Sequence, residues 1–129
     1  MTIRKAGNIS AEAYISGEIS TYADWNEDIY FFDPDGAAMS LTGIAFYMQF
    51  RSDPEQESAD VTLSTAAGTL SLVADSGAVT SILRIDADDA LFSSYIGDMV
   101  VDLLGVDGSD VKTHYGHGVV TFTNSPVAI

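Results

Sequence analysis

The feature that most constrains the fold is a regular alternation of side chains in residues 44–51. Consecutive residues of a β-strand point to opposite faces, so a period of two marks a strand with one buried and one solvated side. The apolar positions on one side of this segment are Ile44, Phe46, Met48 and Phe50. The segment therefore predicts a strand with one face in a hydrophobic core.

Other segments have the same character and are separated by turn signals. The clearest turn is Asp33-Pro34-Asp35-Gly36, where Pro presets φ and Gly accepts a positive φ. Further strands are predicted at residues 29–32, 61–64, 69–74, 79–85, 98–106 and 119–124. This spacing predicts an all-β chain, an antiparallel immunoglobulin-like (Ig-like) sandwich of about seven or eight strands. A small closed barrel is the alternative, because closure also removes exposed sheet edges.

Residues 86–93 interrupt the alternation and predict at most one short helix. Asp86 is the expected N-cap, because its side chain can accept a hydrogen bond from a backbone N–H in the first turn. Asp88 and Asp89 are then favourably placed near the helix N-terminus. We expect a helix of about one to two turns.

The N-terminal segment differs from the rest of the chain. Residues 9–19 alternate with period two, but Ala and Gly occupy much of the inward side and bury little area. This is typical of an edge strand, or of an arm that completes its packing on a neighbouring subunit. We therefore expect an extended segment or edge strand in residues 1–22 and a single sandwich domain in residues 23–129.

Charge and composition exclude several classes of function. The chain has 19 acidic and only 5 basic residues, a net charge of −14, which repels nucleic acid phosphates. No apolar run reaches the length of about 18 residues that a membrane helix needs. We therefore expect no nucleic acid partner, no membrane insertion and no Sec-type export.

The residues that most catalytic sites require are missing or widely placed. The chain has no cysteine, and its two histidines are His114 and His117. In an extended strand these positions point to opposite faces, so joint metal ligation needs a sharp bend at Gly116. Exposed hairpin histidines are the simpler interpretation. We predict no enzyme activity, no cofactor and no metal.

Acidic clusters and aromatic residues offer weaker candidates for binding. Carboxylate oxygens suit calcium, and the clusters are Asp33 with Asp35, Asp86 with Asp88 and Asp89, and Asp107 with Asp110. Exposed aromatic rings at Tyr22 and Trp25 could stack on sugars or insert into a partner, whereas the alternative for Trp25 is to cap the core. The predicted partner-binding residues are Ile9, Tyr14, Ile15, Tyr22 and Trp25.

The order of short motifs resembles one group of proteins. The motifs are Asp35-Gly36 closing a turn, Leu41-Thr42-Gly43 leading into a strand, Asp102-Leu103 in a late strand, Asp107-Gly108 in a hairpin and the closing strand at residues 118–123. The chain is similar in these motifs to short virion proteins of tailed phages and prophages, and to the N-terminal Ig-like domain of upper baseplate proteins. Ser40 stands where that pattern usually has Asp.

The resemblance implies a non-enzymatic structural subunit of a tailed-phage virion, made in the host cytoplasm. Its expected partners are other virion proteins in the tail, baseplate or fibre-attachment region, with multiple copies in a symmetric assembly. Capsid decoration is the alternative placement. A carbohydrate- or calcium-binding adhesin-like module is the alternative from another class.

Overall fold

Strands that alternate apolar and polar residues bury one face each, and this chain does so by stacking two sheets. The computed structural model describes residues 3–5, 13–20, 24–33, 35–92 and 95–123. Within these ranges, nine strands form a four-stranded and a five-stranded sheet around a shared core. The prediction of an all-β sandwich is confirmed.

The strands in chain order are β1 (Ile3–Lys5), β2 (Ala13–Ser20), β3 (Trp25–Phe31), β4 (Ala45–Arg51), β5 (Val61–Ser64), β6 (Leu70–Ala74), β7 (Thr80–Ala87), β8 (Gly97–Val106) and β9 (Lys112–Thr123). The four-stranded sheet has the order β1-β3-β7-β6, and the five-stranded sheet has the order β2-β9-β8-β4-β5. An Ig domain places strands A, B, E and D in one sheet and G, F and C in the other. The described sheets have the same order when the letters A to G are given, in turn, to β1, β3, β4, β6, β7, β8 and β9.

Two strand pairs depart from the antiparallel pattern. β1 pairs with β3, and β2 pairs with β9, in parallel. Parallel neighbours need a long connection, and both pairs satisfy this because β2 lies between β1 and β3 in the chain and most of the domain lies between β2 and β9. The remaining described pairs are antiparallel.

The N-terminal strand β2 is an integral edge of the five-stranded sheet. It pairs with β9 from Ala13 to Ser20, and the side chain of Ile15 is fully buried. A Cβ atom at Gly118 would overlap the backbone carbonyl of Ile15, so glycine is needed for this close approach. Residues 13–20 therefore form an edge strand of their own domain, which is one of the two predicted alternatives for this segment.

The predicted core residues of β4 are the centre of the sandwich. Phe46, Met48 and Phe50 are fully buried, as their period-two spacing predicts. Aromatic rings from both sheets meet them at either end of the core, including Trp25 and Tyr115. The other fully buried large side chains are Ile15, Ile29, Phe31, Leu41, Leu63, Leu70, Leu83 and Phe122.

Helical structure in the described ranges is limited to one short turn, as expected. A 3₁₀ turn spans Asp89–Leu91, and its N-cap is Asp88, whose side chain accepts a hydrogen bond from the backbone N–H of Ala90. The prediction of Asp86 as the cap is wrong, because β7 continues through Asp86 to Ala87. No helix in the described part of the chain has the length and apolar character to cross a membrane.

Candidate functional site

The structure changes the interpretation of the predicted partner-binding residues. Ile15 is fully buried and Trp25 is 3% exposed, so neither side chain is at the surface. The backbone of Tyr14 pairs with that of His117 across the β2–β9 edge, while its side chain lies outside the described atoms. Ile9 and Tyr22 also lie outside the described residues.

Trp25 packs in the core, which confirms the alternative prediction and corrects the expectation of an exposed ring. Its ring contacts Phe50 and Phe92 edge-on, with centroids 5.8 and 6.1 Å away. Its Nε1–H is buried without a hydrogen-bond acceptor among the described atoms. The polar residues around Trp25 in the sequence suggested exposure, but β3 turns this position inward with Ile29 and Phe31.

The candidate site is instead the outer face of three neighbouring strands, β4, β8 and β9, which we call the β4–β8–β9 face. Most antiparallel sheets that face water carry polar residues on the outer side. Here the outward positions of β8 are largely apolar, as are some of those on the strands beside it. These outward, partly exposed side chains are Tyr47, Val100, Leu104, Val106 and Val119.

The sequence of β8 already indicated that this face is unusual, because apolar residues stand on both sides of the strand. Its inward residues Met99, Val101 and Leu103 are buried, so its outward apolar residues are additional to the core. A strand that is apolar on both sides is typical of a sheet covered on both sides. The described part of this chain places no strand or helix over the outer side.

An arginine organises the centre of the β4–β8–β9 face. The Arg51 side chain is only 15% exposed, and its Nη1 lies 3.5 Å from Asp102 Oδ2. Its Nε and Nη2 donate hydrogen bonds to the backbone carbonyls of Gln56 and Glu57, each at 3.2 Å, and Nη2 donates to Gln49 Oε1 at 3.0 Å. Arg51 thus fastens the 52–58 loop beside a shallow depression of about 350 Å³ on the face.

The two histidines lie on this same face, contrary to the prediction that they point to opposite sides. The pairing of β8 with β9 shifts between Leu103 and Leu104, which leaves one extra residue, Tyr115, in β9. Such a bulge reverses the alternation beyond it. The rings of His114 and His117 therefore stack, with centroids 6.1 Å apart.

The histidine pair is connected to the arginine through one carboxylate. His114 Nε2 lies 2.9 Å from Asp102 Oδ1, while Asp102 Oδ2 faces Arg51. Asp102 thus joins β4 to β9 across β8. The result is a polar centre with apolar side chains on both sides of it, an arrangement suited to binding a protein surface.

The acidic turn residues have a structural role. Asp33, Asp75 and Asp107 each accept hydrogen bonds through Oδ1 from the backbone N–H groups two and four positions later, at 2.8 to 3.1 Å. Each carboxylate therefore closes a tight turn. The Ser81 hydroxyl also donates to Asp75 at 2.9 Å and holds the pKa of that carboxyl below its ordinary value.

One acidic cluster brings three carboxylates together. Oxygen atoms of Asp24, Asp88 and Asp89 lie within 4.8 Å of one another, so Asp24 takes the place predicted for Asp86. Asp24 Oδ1 accepts the backbone N–H of Asp89 at 3.0 Å, and a hydrogen bond with Asp88 raises the pKa of Asp89. Calcium binding here stays an untested alternative to the prediction of no metal, and a thermal shift with millimolar calcium that EDTA reverses would support it.

The sequence matches no protein-family model and no curated protein.

Proposed function

We propose that the chain is a non-enzymatic structural subunit of a tailed-phage virion. In this proposal it attaches to other virion proteins in the tail, baseplate or fibre-attachment region through the β4–β8–β9 face. The motif resemblance suggests the particle, and the chemistry of the face suggests the mode of attachment. The observation that carries the proposal is the apolar outer side of β8, which has no cover in the described chain.

The face suits attachment because it is both rigid and partly apolar. β8 has paired strands on both sides, so its side chains project from a fixed backbone. Removal of apolar surface from water contributes about 25 cal/mol per Å². Tyr47 and Arg51 are residue types enriched at protein interfaces, and Leu104 adds aliphatic area opposite Tyr47.

The same geometry favours binding over catalysis. The depression beside Arg51 is shallow and lies on an open sheet face, where water reaches any bound group. Enzymes enclose substrates in deeper clefts that exclude water around the reacting atoms. Asp102 is held between Arg51 and His114, which suits a fixed polar centre.

Purified particles test this proposal directly. Mass spectrometry should detect the chain in purified particles of the phage or prophage that carries its gene. Antibody labelling of these particles should mark the tail. Labelling of the capsid would overturn the tail placement. Absence from the particles would overturn the structural function itself.

A variant of the face connects the function to its site. Leu104→Asp places a charge in the centre of the apolar surface without touching the core, so the folded protein should be missing from particles. Leu91→Asp is the matched control, since Leu91 is 40% exposed on the 3₁₀ turn, away from the face. Normal incorporation of Leu104→Asp would exclude the β4–β8–β9 face as the attachment surface.

A further inference from the structure

We propose that Asp102, His114 and His117 bind a divalent transition metal ion of the zinc class on the outer side of the five-stranded sheet. This site goes beyond the proposed function and does not depend on it. The prediction of no metal rested on the two histidines pointing to opposite faces of β9. The extra residue Tyr115 brings both rings to one face, so that reason no longer holds.

The three side chains come together through the pairing of β8 with β9. Asp102 lies directly opposite His117, and His114 lies opposite Leu104, two residues further along β8. Side chains opposite each other in an antiparallel pair have Cβ atoms about 4.5–5.5 Å apart. His114 reaches back toward the carboxylate, and its Nε2 lies 2.9 Å from Asp102 Oδ1. The carboxylate therefore has one imidazole across from it and a second one in contact with it.

The donor atoms are those that zinc and related ions prefer. Imidazole nitrogen and carboxylate oxygen both bind Zn²⁺, at about 2.0–2.2 Å, and imidazole also suits Cu²⁺ and Ni²⁺. Two imidazoles and one carboxylate make a three-ligand site whose remaining position is filled by water. Calcium takes a shell of about six to eight oxygen atoms, which two histidines do not provide. The ion that fits this site is therefore zinc or a close chemical relative.

The spacing of the two rings is close to that of imidazoles on a shared ion. The centroids of His114 and His117 are 6.1 Å apart, and the ring planes are inclined by 17°. Two imidazoles on one tetrahedral zinc ion have centroids roughly 5 Å apart, given Zn–N bonds of about 2.0 Å.

A rotation of one exposed side chain closes the site. Among the described residues, the donor atoms of Asp102, His114 and His117 do not all lie within 4.8 Å of one another. His117 is exposed, so its ring has room to rotate about its side-chain torsions toward the carboxylate. The same exposure gives an ion a direct path from solvent to the site.

The nearby arginine leaves one carboxylate oxygen to the ion. Arg51 Nη1 lies 3.5 Å from Asp102 Oδ2, whereas His114 is beside Oδ1. The guanidinium also donates to the carbonyls of Gln56 and Glu57, which keeps it on the β4 side of the carboxylate. Groups that hydrogen-bond a ligating carboxylate orient it toward the metal. The net charge of −14 also attracts cations to the chain and offsets the charge of Arg51.

Calorimetric titration of the purified full chain with zinc chloride tests the proposal. We expect saturable binding, and His114→Gln, His117→Gln and Asp102→Asn should each weaken it at least about tenfold. Asp86→Asn is the matched control, since it removes an exposed carboxylate on the other sheet and should change the affinity less than about twofold. A chain that binds no zinc at millimolar concentration would overturn the proposal.

Nuclear magnetic resonance identifies the ligands without any substitution. His114 and His117 are the only histidines in the chain, so the imidazole signals report on this site alone. Zinc should shift the signals of both rings together, and calcium should leave both unchanged. Zinc shifts confined to one ring, or seen in neither, would show that the two histidines do not share an ion.

The acidic cluster of Asp24, Asp88 and Asp89 is the competing location for a cation. Asp89→Asn should leave zinc binding in place. If Asp89→Asn abolishes zinc binding and His117→Gln retains it, the ion lies in that cluster and the proposal is wrong. Particle composition is a separate measurement. A chain that binds zinc through both histidines but is absent from particles keeps the metal site and loses the virion function, and the reverse result does the opposite.

Discussion

The outer faces of the two sheets each carry an arginine, and the two side chains have different surroundings. Arg84 on β7 is 48% exposed, and both of its hydrogen bonds go to the carboxylate of Asp28, at 2.8 and 3.2 Å. Arg51 on β4 is 15% exposed and contacts a loop, a neighbouring strand and its own strand. The two arginines thus differ in role: Arg84 forms a local ion pair on one face, and Arg51 is part of a hydrogen-bond network on the other.

The difference distinguishes an ordinary solvated face from a face whose polar groups are held in place for binding. An exposed ion pair such as Arg84 with Asp28 is common on protein surfaces and contributes little to stability. A guanidinium that donates to several carbonyl groups from a nearly buried position holds a fixed shape. Fixed polar groups between apolar side chains are what a binding surface needs, and among the described residues this combination lies on the five-stranded sheet.

The two sheets also differ in how closely their strands approach. The substitution with the largest expected effect on stability removes this close approach. Gly118 of β9 lies against the backbone of Ile15, whereas no strand of the four-stranded sheet contains a glycine. Gly118→Ala should force β2 away from β9 and expose Ile15, at a cost of about 2–3 kcal/mol in the free energy of unfolding. Urea denaturation measures this cost.

Gly108→Ala is the matched control for that substitution. A Cβ atom at Gly108 meets nothing within 4 Å, so this variant should unfold at nearly the same urea concentration as the natural chain. If Gly118→Ala is equally harmless, the close approach of β2 is not required for the fold.

The two arginines provide the next, smaller test. Arg51→Gln removes the hydrogen bonds to Gln56 and Glu57 and should destabilise the fold by about 1–2 kcal/mol. Arg51→Lys should not restore this loss, because an ammonium lacks the planar fork of donors. Arg84→Gln should leave the urea midpoint unchanged. Equal effects of Arg51→Gln and Arg84→Gln would show that the two faces do not differ in this way.

Period-two alternation predicted some strands closely and others only in part: the strand predicted at residues 29–32 begins four residues earlier in the structure, where β3 is Trp25–Phe31. β4 was predicted within one residue, because Phe46, Met48 and Phe50 alternate with residues that face out. β9 was predicted too short, since the bulge at Tyr115 breaks the alternation in its first half. A bulge depends on the partner strand, and a single segment of sequence does not specify it.

The candidate site was harder to predict than the fold. Tyr47 and Leu104 are far apart in the chain and become neighbours only through the pairing of β4 with β8. The apolar outer side of β8 was visible in the sequence, but its neighbours were not. Conversely, the sequence left both an exposed ring and a core cap open for Trp25, because the direction of its side chain depends on its place in β3.

The smallest expected effect concerns the hairpin turns, one in each sheet, which are alike in their hydrogen bonds and differ in the residue that has a positive φ. Asp75 and Asp107 close the β6–β7 and β8–β9 turns with the same hydrogen bonds, and the third residue after each has a positive φ. That residue is Ala78 in the first turn, with φ 64°, and Asp110 in the second, with φ 62°. The left-handed conformation disfavours Ala more than Asp, whose short polar side chain tolerates it.

Ala78→Gly should therefore stabilise the fold by about 1 kcal/mol, which a higher urea midpoint would show. Asp110→Gly should stabilise it less, because Asp already tolerates the conformation. Gly36 holds the same position in the Asp33 turn with φ 87°, so Gly36→Ala should have the opposite sign to Ala78→Gly. If glycine stabilises both turns equally, backbone strain does not distinguish the two hairpins.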